Sequence, residues 1–337
     1  MKRNMLEWRD EMIRSTRKKA LPILSFPSIQ IMGISVIDLI SDSRKQAQGM
    51  KLVADRTDAA ASVSMMDLSV EAECFGSNIR FSDGEVPTVI SRIVTSMEDA
   101  ERLVVPQVGT GRTGLYIEAI KEAVTLIADR PVFAGVIGPF SLTGRLMDVS
   151  QAMLNCYDDP DMVKFLLEKV TAYIIEFIKA YKAVGANGIV LAEPLAGILS
   201  PALSEEFSCA YVKKIVDAVQ DENFIVIYHN CGGATIQMID AILATGSAAY
   251  HFGNAIKMKE MMTHIPADTL TMGNVDPAGQ FRNGTPESIR EASLNILNEC
   301  SRYPNFVISS GCDIPPLSRW ENIDAFFEAV KEFYGNV

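Results

Sequence analysis

Residues 224–233 read FIVIYHNCGG, an unbroken apolar run that ends in a histidine, an asparagine, a cysteine and two glycines. A strand with one wet face alternates apolar and polar residues, whereas a strand buried on both faces reads as continuous aliphatic and aromatic residues. This run is of the second kind and predicts a strand of a parallel sheet covered by helices. Residues 23–28, 61–67, 132–138, 188–193, 248–253, 270–275 and 306–311 share the pattern, and helix-like segments separate most of them. The clearest helix starts at Asp159-Pro160-Asp161, a cap followed by proline at the first helical position and an acid near the positive end of the dipole; it stops at Gly185. Eight buried strands alternating with helices predict an α/β fold. The expected form is a single (β/α)8 TIM barrel over residues 21–337, with an N-terminal helix within residues 1–20. A doubly wound sheet is the alternative.

The 337 residues are 48% hydrophobic and 22% charged, with a formal net charge of −11. That balance suits a large core and argues against nucleic acid or an anionic membrane as the main partner. The first 20 residues are basic but contain Glu7, Asp10 and Glu11 and no apolar core, unlike a secretory signal. Residues 21–40 are apolar but carry Pro22, Pro27, Gln30, Gly33 and Asp38, which suits a core segment better than a membrane span. Cys74, Cys156, Cys209, Cys231, Cys300 and Cys312 are scattered, which predicts reduced thiols in a cytoplasmic protein.

In a barrel of this kind, chemistry sits at the carboxyl ends of the strands. Several runs end in or just before a polar or reactive residue: Asp67, Glu193, His229, His251, Asn274 and Cys312. His229 and Cys231 flank Asn230, so both side chains can point the same way, and Cys312 in SSGCDIPP follows the last run. One imidazole and two thiols form a partial set for tetrahedral Zn²⁺, with the fourth position open or filled by a carboxylate. Ordinary buried thiols beside a hydrogen-bonded histidine fit the same spacing.

Gly109-Thr110-Gly111-Arg112-Thr113-Gly114 matches the dinucleotide pattern G-x-G-x-x-G. Pro106-Gln107 interrupts the run before it, and the next strand ends in Gly-Pro with no acid, so nucleotide binding is not expected.

Longer motifs are more specific. DLSVEAECFG (67–76), GPFSL (138–142), EPLAGILSP (193–201), HNCGG (229–233), GNVDP (273–277) and SSGCDIPPLSRWENIDAFFEAV (309–330) resemble the uroporphyrinogen decarboxylase superfamily, in particular its corrinoid-linked methyltransferase branch. The resemblance implies that His229, Cys231 and Cys312 hold zinc. Glu193, at the end of the strand expected beside that of His229, is the candidate for a displaceable fourth ligand, since a hard carboxylate leaves a thiolate-rich zinc more readily than a third sulfur would. The resemblance also implies a separate protein carrying a cobalt corrinoid, since D-x-H-x-x-G, the familiar cobalt-ligating pattern, does not occur here. Asp67 matches an acid that binds substrate or donates protons in the wider superfamily. His251 and Asn274 are expected to line the mouth where the cofactor meets the chain. The segment after the second strand, roughly residues 76–112, is expected to cover that mouth.

A thiol on zinc is deprotonated at neutral pH, against a free pKa of about 8.5. The implied substrate is therefore a thiol acceptor such as coenzyme M, or a methoxylated donor activated through its ether oxygen. Departures from the decarboxylases point the same way. Residues 22–39 contain no arginine where those enzymes hold substrate carboxylates, GPFSLTGRLM lacks their tyrosine, and Cys312 stands where they carry a histidine. A tetrapyrrole decarboxylase and a non-catalytic corrinoid-protein-binding barrel with structural zinc are the alternatives.

Overall fold

The computed structural model describes residues 3–335. The strands are β1 (Ser62–Val63), β2 (Ile79–Arg80), β3 (Thr88–Val89), β4 (Val132–Ile137), β5 (Gly188–Ala192), β6 (Ile225–Asn230), β7 (Ala249–Phe252), β8 (Leu270–Val275) and β9 (Phe306–Ser310). Seven of them form one parallel sheet in the order β1-β4-β5-β6-β7-β8-β9, and β2 and β3 form a separate antiparallel pair. β8 has the expected bounds, and β4, β5, β6, β7 and β9 agree within one residue at either end. The register sets Ala192 beside His229 and His229 beside His251, so three neighbouring strands end at one level.

The eighth expected strand, residues 23–28, does not form. Pro22 and Pro27 have no N–H to donate to a ladder, and the Ile23 amide donates to the Ser310 hydroxyl at 3.1 Å instead. The adjoining segment still touches both edges of the sheet. Leu21 N donates to Ile308 O of β9 at 3.0 Å, and Ala60 N, two residues before β1, donates to Ala20 O at 2.8 Å. The architecture is therefore an open seven-stranded parallel sheet with flanking helices, not the closed (β/α)8 ladder that eight apolar runs predict. β1 is short for a related reason: Gly135 N donates to the Ser64 hydroxyl at 2.9 Å, and Met66 N donates to the Asp313 carboxylate at 2.8 Å.

The N-terminal helix Met5–Arg14 is capped by Asn4, whose side chain accepts from Glu7 N. Its apolar side, Met5, Leu6, Trp8, Met12 and Ile13, packs on Phe133, Ile225, Ala249 and Leu270, near the amino ends of the strands. Trp8 and Phe133 have ring centroids 5.7 Å apart, and fully burying Met5 alone is worth about 2 kcal/mol. This end of the sheet is sealed with hydrocarbon, which leaves the carboxyl ends for chemistry.

There the loops after β5 and β6 meet backbone to backbone. A Cβ on Gly232 would stand 2.0 Å from Gly197 O, so EPLAGI and HNCGG pack together only because both positions are glycine. Among the described residues no helix is long and apolar enough to cross a membrane.

Candidate functional site

His229 is the penultimate residue of the fully buried β6, and burial pushes its imidazole pKa down to about 4. Its Nδ1 lies 2.7 Å from His251 Nδ1, His251 Nε2 lies 2.8 Å from Ser309 Oγ, and Ser309 Oγ donates to Leu21 O at 2.7 Å. The chain of contacts runs from β6 through β7 to β9 and ends on the segment that stands where the eighth strand was expected. His251 is thus buried between His229 and Ser309. At the opposite side of His229, Nε2 is buried and has no hydrogen-bond partner.

Cys231 follows within the β6 loop, its Cβ set against Gly253 at the end of β7. Burial raises its thiol pKa. Cys312 is pushed up to about 12, first by burial, then by the charges of Cys231 and Asp313. Cys231 packs on Gly253, and Gly311, the neighbour of Cys312, packs on Asn254, so both cysteine loops meet the end of β7 although their strands are not adjacent. Asp313 is itself pushed up to about 8, chiefly by burial; its Oδ2 accepts from Met66 N and its Oδ1 has no partner. Among the described residues, no group of three or more His, Cys, Asp and Glu side chains stands arranged to hold a metal ion.

Glu193 is wholly buried at the N-terminus of helix Pro139–Met147. Its carboxylate accepts from Phe140 N at 2.8 Å, from Ser141 N at 3.3 and 3.4 Å, and from Ser141 Oγ at 3.2 Å. Burial outweighs these bonds and pushes its pKa up to about 8. Gly138 makes room for it, since a Cβ there would lie 2.1 Å from Glu193 Oε1.

Asp67 is buried, with Oδ1 accepting from Ser69 N at 3.1 Å and Ser69 Oγ at 2.6 Å. Its Oδ2 accepts from Tyr116 OH at 2.7 Å and from Arg112 Nη1. Arg112 also donates to Glu73 at 2.5 Å and to Ser69 Oγ at 2.9 Å, with the Phe81 ring 5.1 Å away. The glycine motif at 109–114 therefore delivers an arginine to a carboxylate. Gly111, at φ +59°, turns the chain into helix Arg112–Leu126 and so aims that side chain.

Sequence reasoning singled out Asp67 but missed Arg112, Tyr116, Asp313 and Glu71, whose Oε1 accepts from Ile137 N at 3.1 Å and whose pKa burial raises to about 7. Glu71 lies inside DLSVEAECFG and Arg112 inside the discounted glycine motif, so both signals were available. Asn274 donates through Nδ2 to Gly253 O at 2.8 Å and Ile256 O at 2.6 Å, bracing the loop after β7. It borders an outer groove of about 610 Å³ shared with Lys257, Met258, Asp276 and Arg302.

Residues 23–333 match the family described as Uroporphyrinogen decarboxylase (URO-D). The chain belongs to the uroporphyrinogen decarboxylase family. Within it, the chain is 29% identical over 273 residues to Methylcobamide:CoM methyltransferase MtbA of Methanosarcina acetivorans, covering 79% of this chain and 78% of the relative. It is 24% identical over 310 residues to Uroporphyrinogen decarboxylase of Hydrogenovibrio crunogenus, covering 88% and 86%. A solved methyltransferase from Methanosarcina mazei shares the fold, with a TM-score of 0.84 at 21% identity over 98% of this chain and 99% of that one. A B12-independent methionine synthase from Shewanella sp. W3-18-1 superimposes less closely, with a TM-score of 0.57 at 12% identity over 95% and 98% of the two chains. This uroporphyrinogen decarboxylase family member thus has the family fold with a cysteine pair and a bare imidazole nitrogen at the carboxyl ends of its strands.

Proposed function

We propose that this chain is a zinc-dependent methyltransferase. It moves a methyl group between a corrinoid carried by a separate protein and a small substrate, either a thiol such as coenzyme M or a methoxylated donor. One observation carries the reading: His229 Nε2 is buried without a partner, at the strand end that Cys231 shares. An unpaired polar atom in a dry site is costly unless something occupies it. A nitrogen and two sulfurs are the donor types that zinc prefers. Similarity to the Methylcobamide:CoM methyltransferase of Methanosarcina acetivorans supports methyl transfer over other family chemistry.

In this reading His229 offers a neutral nitrogen, and Cys231 and Cys312 give up their protons as they bind. Zinc held this way supplies an electrophilic, exchangeable position and keeps a bound thiol deprotonated at neutral pH. Asp313, next to Cys312, is pushed toward its protonated form and limits the negative charge at the site. Glu193 serves as the displaceable fourth ligand, which requires its carboxylate to leave Phe140 and Ser141. Asp67, fixed by Arg112 and Tyr116, orients the polar end of the substrate. Ligand binding has to draw these groups together, since no metal-holding group is preassembled among the described residues.

The test is zinc content together with transfer from methylcobalamin to thiols and from methoxylated aromatics to cob(I)alamin. About one zinc per chain, and loss of both metal and transfer in Cys312→Ala, are the expected results. A decarboxylase reading draws on the Hydrogenovibrio crunogenus relative. A metal-free preparation that forms coproporphyrinogen would establish it and overturn ours. Four-protein-ligand zinc that no thiol or ether perturbs would favour a non-catalytic corrinoid-protein-binding role.

A further inference from the structure

The contacts behind His229 have a direction. Ser309 Oγ lies 2.7 Å from Leu21 O, a carbonyl that can only accept, so the single hydroxyl proton of Ser309 is committed to that bond. Oγ must then accept from His251 Nε2 at 2.8 Å. A neutral imidazole carries one proton, which leaves His251 Nδ1 as an acceptor. Two ring nitrogens 2.7 Å apart share one proton between them, so His229 Nδ1 donates. Nε2 of His229 is then a bare lone pair, and it is the atom that has no partner.

The reverse polarity would turn the Ser309 proton toward His251, strip Leu21 O of its donor and leave an N–H on His229 Nε2 buried with nothing to receive it. Each such orphan is a buried polar group stripped of its partner, which folding disfavours. The backbone carbonyl therefore sets the tautomer of a side chain two residues further along the relay.

We propose that Ser309 and His251 are positioning residues that hold His229 with Nδ1 protonated and Nε2 bare, pre-set to bind a divalent metal ion. The inference rests on the zinc reading above. It goes further in assigning the metal-facing nitrogen and the two residues that select it. Groups behind a ligating histidine commonly change metal affinity about 10- to 100-fold.

The test uses ¹⁵N-histidine NMR and zinc competition against a chelator on the full chain. His229, His251 and His264 are the only histidines, so the spectra are assignable. In metal-free protein His229 should read as the Nδ1–H tautomer and His251 as Nε2–H. Ser309→Ala should mix the tautomers and weaken zinc binding about 10-fold or more, and Ser309→Thr, which restores the hydroxyl, should recover both. His251→Phe, which removes the acceptor, should weaken zinc binding without restoring a single tautomer at His229. An Nε2–H tautomer at His229 in the wild type overturns the proposal. So do zinc affinity and tautomer unchanged in both Ser309→Ala and His251→Phe, while the zinc reading itself survives. A wild-type chain that binds no zinc overturns the zinc reading and this inference with it.

Discussion

His229 and His251 meet nitrogen to nitrogen at 2.7 Å with their rings inclined at 63°, both wholly within the protein. The contact fixes the His229 ring about its own axis, because a flip would put carbon where Nδ1 bonds. A ligand nitrogen that does not need to be ordered on binding loses little entropy when it is engaged.

The protonation states on either side of that nitrogen predict how zinc affinity varies with pH. His229 is already neutral near pH 7, since burial lowers its pKa to about 4. Cys231 and Cys312 are both raised and so hold their protons there. Zinc uptake should release about two protons from the sulfurs and, with Glu193 raised to about 8, close to a third below that pH, so that affinity tightens at least about 100-fold per pH unit between about pH 6 and 8. Chelator competition at several pH values, with proton release measured calorimetrically, checks this. A slope of one proton or fewer would exclude ligation by both sulfurs.

Arg112→Met should expose the dependence of Asp67 on its cation. Asp67 has no exposed side-chain area and Arg112 only 10%, so removing the guanidinium strands a buried carboxylate at a cost of about 3–5 kcal/mol. Denaturant unfolding should show the loss. Zinc content should stay near the wild-type value while methyl transfer falls, because Asp67 is assigned to substrate and not to metal. Equal loss of zinc would assign the arginine network to the metal site.

Glu71 gives a pH prediction of the less common sign for a carboxylate. Its folded pKa is raised from 4.5 to about 7, mainly by burial. Its stabilising contribution is therefore complete below about pH 4.5 and is lost as pH rises through about 7. Relative to Glu71→Gln, the wild type should lose roughly 3 kcal/mol over that window. Urea titrations at pH 5 and 8 measure it. A difference independent of pH would mean that Glu71 is ionised in the folded protein.

Gly232→Ala should be poorly tolerated. The added Cβ would meet Gly197 O at 2.0 Å and Gly197 Cα at 2.3 Å, which are backbone atoms that cannot rotate away. Separating the two loops should cost about 3 kcal/mol and displace the neighbouring Cys231. Both a lower melting temperature and weaker zinc binding are expected. Wild-type zinc affinity in a destabilised variant would show that the loop contact does not place Cys231.

Most of the sheet was legible because burial on both faces leaves an unbroken apolar signature, as in GIVLA of β5 and FVI at the start of β9. Residues 23–28 carry the same signature for a different reason: Ile23 and Phe26 are core residues without being ladder residues. Apolar runs report burial, and only the prolines beside them reported the missing N–H groups. At the site, chain order marked which residues end strands, and hence His229, Cys231 and Cys312. It did not reveal what Glu193 touches, because its partners are backbone amides of a helix more than 50 residues earlier. Nor did it reveal that Arg112 reaches Asp67, since the spacing of the glycines there resembled a phosphate loop. The link from His229 through His251 to Ser309 joins three strands and depends on register, which no local pattern encodes.

Helix Met5–Arg14 stoppers the amino ends of the strands, which leaves the rim of loops at their carboxyl ends as the way in. Whatever reaches His229 enters over that rim, and whatever leaves goes back the same way. If a bulky cobalt-bearing protein sits on the rim, it seals the small reactant inside. Loading would then have a compulsory order, with the small molecule first and the macromolecule second, and steady-state kinetics would show substrate trapping where an open-ended tunnel would show none.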